Sequence, residues 1–327
     1  MIVNAMSWGN SMSVLTTNTG CRRECLSRHR YLERFLVMLV ASAALLVSMD
    51  SRAERKTIVT TFSVLQDMAQ NVAGDKAEVV SIIPPGAEVH EYEPTPRDIL
   101  KARQADLILW NGFGLERWFE KFYSGLDDVP VAILTKGIEP IGLSEGPYEG
   151  KPNPHSWMSP ANAVIYVENI RQALIAIDPA NTESYDANAQ AYSARLISLD
   201  SPLKEELSRV PEPQRFLVTC EGAFSYLARH YGFKELYLWA VNSEQEGTPQ
   251  QIRKVIDQTR KHDIPVTFCE STVNAKAMRQ VSAESGARFA GTLYVDSLTR
   301  EDGPAPTYEQ MLKYNAELIV RGFHVSP

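Results

Sequence analysis

Histidine is scarce in this chain, with six in 327 residues, none between His90 and His155, and no His-Glu-x-x-His pair. That absence removes the familiar helical signature of zinc hydrolases. No apolar run reaches the roughly 20 residues that span a bilayer, the longest being the 15 residues Phe35 to Met49. There is no low-complexity tract and no repeat at the level of sequence. Positive charge is also in deficit: 33 Lys and Arg stand against 40 Asp and Glu, a net charge of −7. Such a chain repels nucleic acid and anionic membranes and mildly favours cations.

The apolar run at Phe35 to Met49 follows Arg22, Arg23, Arg28, Arg30 and Arg34 and precedes Ser51-Arg52-Ala53. A basic stretch, a short apolar core and small residues at −3 and −1 predict a secretory signal in residues 1–53, cleaved after Ala53. Cys21 and Cys25 lack the Leu-x-x-Cys setting of a lipoprotein signal. The expectation is a soluble periplasmic protein of about 270 residues, enough for two lobes, with a net charge near −10 once the leader is removed. Two cysteines remain, Cys220 and Cys269, each ending a predicted strand in the same half. An even count in an oxidising compartment predicts one disulfide; a pair of buried free thiols is the alternative.

Strands and helices alternate twice along the chain. The first half carries strands at Thr57–Phe62, Ala77–Ile83, Leu107–Trp110 and Val129–Leu134, with helices at Val64–Ala73, after Thr95-Pro96, and at Leu115–Tyr123. In Val64–Ala73, Leu65, Met68, Ala69 and Val72 fall at i, i+3, i+4 and i+7, the stripe of a helix packed on a core. A Gly- and Pro-rich loop spans 136–160, and helices at Ala161–Ile177 and Thr182–Leu207 follow. The second of these reads as long and polar, as in a helix bridging two lobes. The alternation resumes with strands at Arg215–Cys220, Leu236–Val241, Pro265–Cys269 and Phe289–Val295, and with helices from Gly222, Thr248, Ala275 and Tyr308. The fold class predicted is α/β: a lobe over 54–180, a linker helix over 181–210 and a second lobe over 211–327, each lobe with a parallel sheet.

Four residues lie in or just beyond loops at the carboxyl ends of predicted strands: His90, His155, Glu221 and Asp296. Ligands of open α/β sheets bind at that edge, so two facing lobes would gather the four in one cleft. Two imidazoles and two carboxylates suit one divalent cation. Each residue also has a plainer reading. His90 alone could be a loop histidine, and Glu221 and Asp296 could cap helices or turns. Glu91 and Glu93 read as a solvated rim, and Trp157 as packing beneath its loop. His230 reads as a helix C-cap, His262 as a helix end, and His324 as part of a frayed tail.

The motifs His90-Glu91-Tyr92-Glu93-Pro94, Pro154-His155-Ser156-Trp157, Thr219-Cys220-Glu221-Gly222-Ala223-Phe224, Glu246-Gly247-Thr248-Pro249 and Tyr294-Val295-Asp296-Ser297-Leu298 resemble, in order, those of the metal-binding solute receptors of bacterial ABC importers. The resemblance covers about residues 55 to 323. It implies two (β/α)4 lobes joined by a rigid helix, one transition-metal ion held in the cleft by His90, His155, Glu221 and Asp296, and delivery to an inner-membrane permease with its ATPase subunit. It implies a monomer that is no enzyme. Zinc-importing relatives generally carry a histidine where Glu221 stands, and many have a His-rich loop after the first motif. Two carboxylates instead suit five- or six-coordinate Mn²⁺ or Fe²⁺, so the metal expected is Mn²⁺, with Fe²⁺ next. The alternatives are a Zn²⁺ receptor of the same family and a secreted metallohydrolase using Glu91 or Glu270 as base.

Overall fold

The computed structural model describes residues 55–126, 129–146, 148–241 and 247–324. The leader assigned to residues 1–53 and the motif residue Glu246 lie outside the described residues. From Arg55 onward the chain forms one compact unit.

The first sheet is built from β1 (Lys56–Thr60), β2 (Ala77–Ser81), β3 (Leu107–Trp110) and β4 (Val131–Ile133), all parallel, in the order β2-β1-β3-β4. Its central strands bury Ile58, Val59, Ile108 and Leu109 completely, as strands covered on both faces must. Helix α1 (Ser63–Ala73) lays Leu65, Met68, Ala69 and Val72 into this core. It stops at Gly74, whose φ of +59° suits glycine; a Cβ there would also meet Asn188 Nδ2 at 2.6 Å. Helix α2 (Pro96–Arg103) starts in a capping box between Thr95 and Asp98 with Pro96 at its first turn.

Helix α3 is shorter than its pattern suggests, Phe119–Tyr123 rather than Leu115–Tyr123. Gly112, Phe113 and Gly114 take positive φ, and the buried Glu116 carboxylate accepts the Asn111 N–H at 2.8 Å and the Thr61 hydroxyl at 2.6 Å. The chain therefore turns around a carboxylate where a helix was expected to begin.

Helices α4 (Pro160–Ile177) and α5 (Thr182–Ser208) pack on each other and lead into the second half. With 27 residues, α5 is about 40 Å long. It is less uniformly polar than expected. Tyr185, Ala189, Tyr192, Leu196, Leu199, Leu203 and Leu207 form one buried stripe along its whole length, and the helix packs against both α1 and the last helix of the chain.

The second half holds β5 (Phe216–Glu221), α6 (Ser225–Tyr231), β6 (Lys234–Trp239), α7 (Pro249–Lys261), β7 (Val266–Glu270), α8 (Lys276–Ser285), β8 (Arg288–Leu293) and α9 (Tyr308–His324). Its strands form two parallel ladders, β5 with β6 and β7 with β8. Between them, β5 and β7 are joined by the Cys220–Cys269 disulfide, with Cα atoms 4.9 Å apart, the spacing of neighbouring strands. The predicted bridge is present. His324 is the last residue of α9. Among the described residues no helix is long and apolar enough to cross a membrane.

One joint ties α1, α5 and α9. Arg195 of α5 donates to Asn71 at 2.6 Å and to Glu309 at 2.9 Å, and the Asp67 carboxylate accepts the Tyr308 N–H that opens α9. Burial pushes the Asp67 carboxyl up to about 6; Glu309 adds to the rise, while the Tyr308 N–H and Arg195 oppose it. The folded protein thus holds this proton more tightly than the unfolded chain. The resulting stability is full below pH 4 and disappears as pH rises through 6, a change on the order of 2–3 kcal/mol. Asp67→Asn keeps the acceptor and lacks the charge. Denaturant unfolding of the metal-free protein at pH 4 and pH 7 should show a smaller loss of stability in the variant; an equal loss would remove Asp67 from the account.

Candidate metal centre

Each of the four predicted residues is brought into place by a different local device. The chain leaves β2 through Pro84-Pro85-Gly86, and the Glu88 carboxylate accepts the N–H groups of His90 and Glu91 at 2.8 and 2.7 Å. This turn sends the His90 ring inward. His155 precedes a single 3-10 turn, Ser156–Met158, anchored by Trp157. The Trp157 ring is fully buried against Phe62, and its Nε1 donates to the Val295 carbonyl at 3.2 Å, one residue before Asp296. Glu221 is the last residue of β5. Asp296 lies three residues past β8, in a loop fixed by Ser297, whose hydroxyl accepts the Gly86 N–H, and by Leu298, whose N–H donates to Ser63 Oγ at 2.9 Å.

The helix-cap readings of the two carboxylates do not hold. After Glu221 the next helix begins at Ser225, and after Asp296 the next begins at Tyr308. Helix α6 starts late because the Phe224 N–H and the Ser225 hydroxyl both turn to the half-buried Glu235.

The four side chains converge. His90 Nε2 lies 3.2 Å from Glu221 Oε1 and 3.9 Å from Asp296 Oδ2, and His155 Nε2 lies 3.5 Å from Glu221 Oε1 and 3.4 Å from Asp296 Oδ1. One donor atom from each fits within a span of 4.8 Å. Donors bound at about 2.0–2.2 Å around one ion are separated by at most about 4.4 Å, so a small contraction would complete the shell. None of the four is more than 1% exposed. Nε2 of His90 and Nε2 of His155 are buried without a hydrogen-bond partner, which is costly unless an ion takes the lone pair of each. His155 Nδ1 is 2.8 Å from Asn153 Oδ1. Burial alone would raise the Asp296 carboxyl, but the two imidazoles and the Thr272 hydroxyl hold it below the ordinary range.

Other histidines and acids go elsewhere. His230 pairs with Asp200 at 2.7 Å, and His262 stacks on Phe216 at the end of α7. Glu91 is half exposed and paired with Arg117. Glu270 has a larger role than the sequence reading gave it. It ends β7 as Glu221 ends β5, each directly after a cysteine, and its carboxylate accepts the Glu221 N–H at 3.2 Å. Burial, with the nearby Glu221 charge, pushes the Glu270 carboxyl well up. The repeated Cys-Glu dipeptide at two strand ends is the signal that could have found it.

A two-part α/β fold with two imidazoles and two carboxylates closed in at strand carboxyl ends has the make-up of a metal-ion receptor. Comparison with known proteins agrees. Residues 58–322 match the family described as the periplasmic component A of zinc-uptake complexes. The iron-binding protein YfeA of Yersinia pestis is 57% identical over 286 residues, covering 87% of this chain and 92% of the relative. A manganese ABC transporter substrate-binding lipoprotein of Streptococcus pneumoniae is 37% identical, covering 85% and 92%. The structure of a Mn-bound periplasmic metal-binding protein from Candidatus Liberibacter asiaticus superposes with a TM-score of 0.76 at 42% identity, covering 82% of this chain and 99% of the other. The chain belongs to this family of metal-binding solute receptors of bacterial ABC importers.

If the four residues act as one shell, removing any one leaves the rest converging on an underscreened cation. Glu221→Ala should weaken Mn²⁺ binding by at least about tenfold, whereas Glu91→Ala should titrate like the parent protein. Calorimetric titration of both variants decides the point, and parental affinity in Glu221→Ala would exclude that residue from the shell.

Proposed function

We propose that this protein captures one Mn²⁺ or Fe²⁺ ion in the periplasm through His90, His155, Glu221 and Asp296 and passes it, as a monomer, to a membrane permease driven by an ATPase subunit. Residues 54–180 and 211–327 act as the two lobes, with 181–210 as the link between them. The observation that carries the reading is the closed cluster of two imidazoles and two carboxylates. The carboxylates balance the +2 charge of the ion and so lower the cost of a dry site.

The choice of metal follows from the donor set. Two carboxylates, each able to bind through two oxygens, together with the two imidazole nitrogens can fill the five or six positions that Mn²⁺ and Fe²⁺ accept, whereas tetrahedral zinc favours more nitrogen or sulfur. The relatives named for iron and manganese support this choice over zinc, although the family description itself refers to zinc. Bare affinity would still rank Zn²⁺ above Mn²⁺ at most such sites, so the transported ion is set by more than equilibrium binding.

A hydrolase needs an open coordination position and a poised base. Here the donors are shut away from solvent, Glu91 is engaged by Arg117, and Glu270 is pushed toward its neutral form. These features support a receptor that performs no chemistry on its ion.

Glu221→His would give three nitrogens and one carboxylate. The ratio of Zn²⁺ to Mn²⁺ affinity should rise in that variant, measured by competition titration; an unchanged ratio would sink the claim that Glu221 sets metal choice.

A further inference from the structure

Asn153 is fully buried, lies two residues before His155, and bonds in two directions. Its Oδ1 accepts the His155 backbone N–H at 3.1 Å and faces His155 Nδ1 at 2.8 Å. Its Nδ2 donates to the Gly222 carbonyl at 2.6 Å and to Ser225 Oγ at 3.0 Å. Gly222 directly follows Glu221, and Ser225 opens α6. One amide therefore joins the residue behind one metal donor to the residue behind another, across 69 positions of sequence.

The orientation of this amide is fixed by its neighbours. The His155 backbone N–H can only donate and the Gly222 carbonyl can only accept, so the Asn153 oxygen must face His155 and its nitrogen must face Gly222. With Oδ1 opposite Nδ1, the His155 proton sits on Nδ1 and the lone pair on Nε2. That is the atom 3.5 Å from Glu221 and 3.4 Å from Asp296. The far end of the link is also held. Ser225 donates its hydroxyl to Glu235, leaving a lone pair for Asn153, and the Gly222 N–H donates to the Trp239 carbonyl at 2.9 Å. A Cβ on Gly222 would meet the Tyr237 ring at 2.9 Å and the Ala240 carbonyl at 3.0 Å, so this backbone has little room to drift. The Asn153 backbone is pinned too, its N–H to Ile141 at 2.7 Å and its carbonyl by the Tyr226 hydroxyl at 2.9 Å.

We propose that Asn153 is a positioning residue that sets the His155 tautomer and couples the placement of His155 to that of Glu221, so that the two donors, one from each half, are presented to the ion as a unit. The inference rests on the four-donor reading of the site. A residue that merely oriented His155 would need only its oxygen; the nitrogen bonds to Gly222 and Ser225 are what the coupling adds.

The test compares Asn153→Ala with Asn153→Asp, which keeps an acceptor for His155 but sets an oxygen against the Gly222 carbonyl. Mn²⁺ affinity is read by calorimetry, and the His155 tautomer by ¹⁵N NMR of the imidazole in metal-free protein. Asn153→Ala should lose the Nδ1–H preference and at least about tenfold in affinity. Asn153→Asp should keep the Nδ1–H preference yet bind at least about threefold more weakly than the parent. Parental affinity in Asn153→Asp, or an unchanged tautomer in Asn153→Ala, overturns the proposal. Should Asn153→Asp fail to fold, Ser225→Ala removes one acceptor of the same amide: about threefold weaker binding supports the coupling, and parental affinity refutes it. Glu221→Ala run alongside separates the two ideas, because full binding there would fail the four-donor site itself.

Discussion

Glu221 and Asp296 lie out of water within 4 Å of two imidazoles, and the placement of much else in the protein answers to that concentration of buried charge. Removing a carboxylate from water costs several kcal/mol unless an opposite charge and hydrogen bonds compensate. A divalent cation supplies that charge for both at once. Without it, the two imidazoles and the Thr272 hydroxyl offset part of that cost and hold the Asp296 carboxyl below its ordinary range. The site therefore needs its backbone held firmly against repulsion while it waits for an ion.

Several devices around the centre meet that need. The Cys220–Cys269 bridge closes β5 on β7 immediately behind Glu221 and Glu270. Closing a loop of 49 residues stabilises the fold by roughly 2–4 kcal/mol in the chain-entropy view, and here the closure lies next to a donor. Trp157 links the His155 turn to the Asp296 loop, and the Ser297 hydroxyl links the latter to the His90 loop. Far from the ion, the stripe of α5 and the Arg195 joint hold the first and second halves in one core. Ligand loops from both halves are thus braced from beneath as well as across the cleft.

Much of this was legible in the sequence because it is local. The α1 stripe, the helix starts at Thr95-Pro96 and Thr248, and the strand ends preceding His90 and Glu221 depend on residues a few positions apart. Other features were hidden because their causes are distant. Helix α3 is shortened by Glu116 reaching back to Thr61, 55 residues away. The apolar stripe of α5 is diluted by polar residues on its other faces, so the helix reads as polar when its seven buried positions are not counted as a series. Glu270 bonds the Glu221 backbone across 49 residues and Asn153 bonds the neighbouring Gly222 across 69; the Cys-Glu dipeptide hints at the first, and nothing near Asn153 announces the second. The split of the second sheet into two ladders likewise depends on where β5 meets β7, which no strand pattern encodes.

In the proposed site one ion is held by two imidazoles and two carboxylates drawn from both halves of the chain. X-ray absorption at the manganese edge of the Mn²⁺-loaded protein measures that shell directly. Five or six nitrogen and oxygen neighbours are expected at about 2.1–2.2 Å, with the outer-shell scattering of two imidazole rings. A shell lacking imidazole scattering, or one made of water oxygens alone, would contradict it.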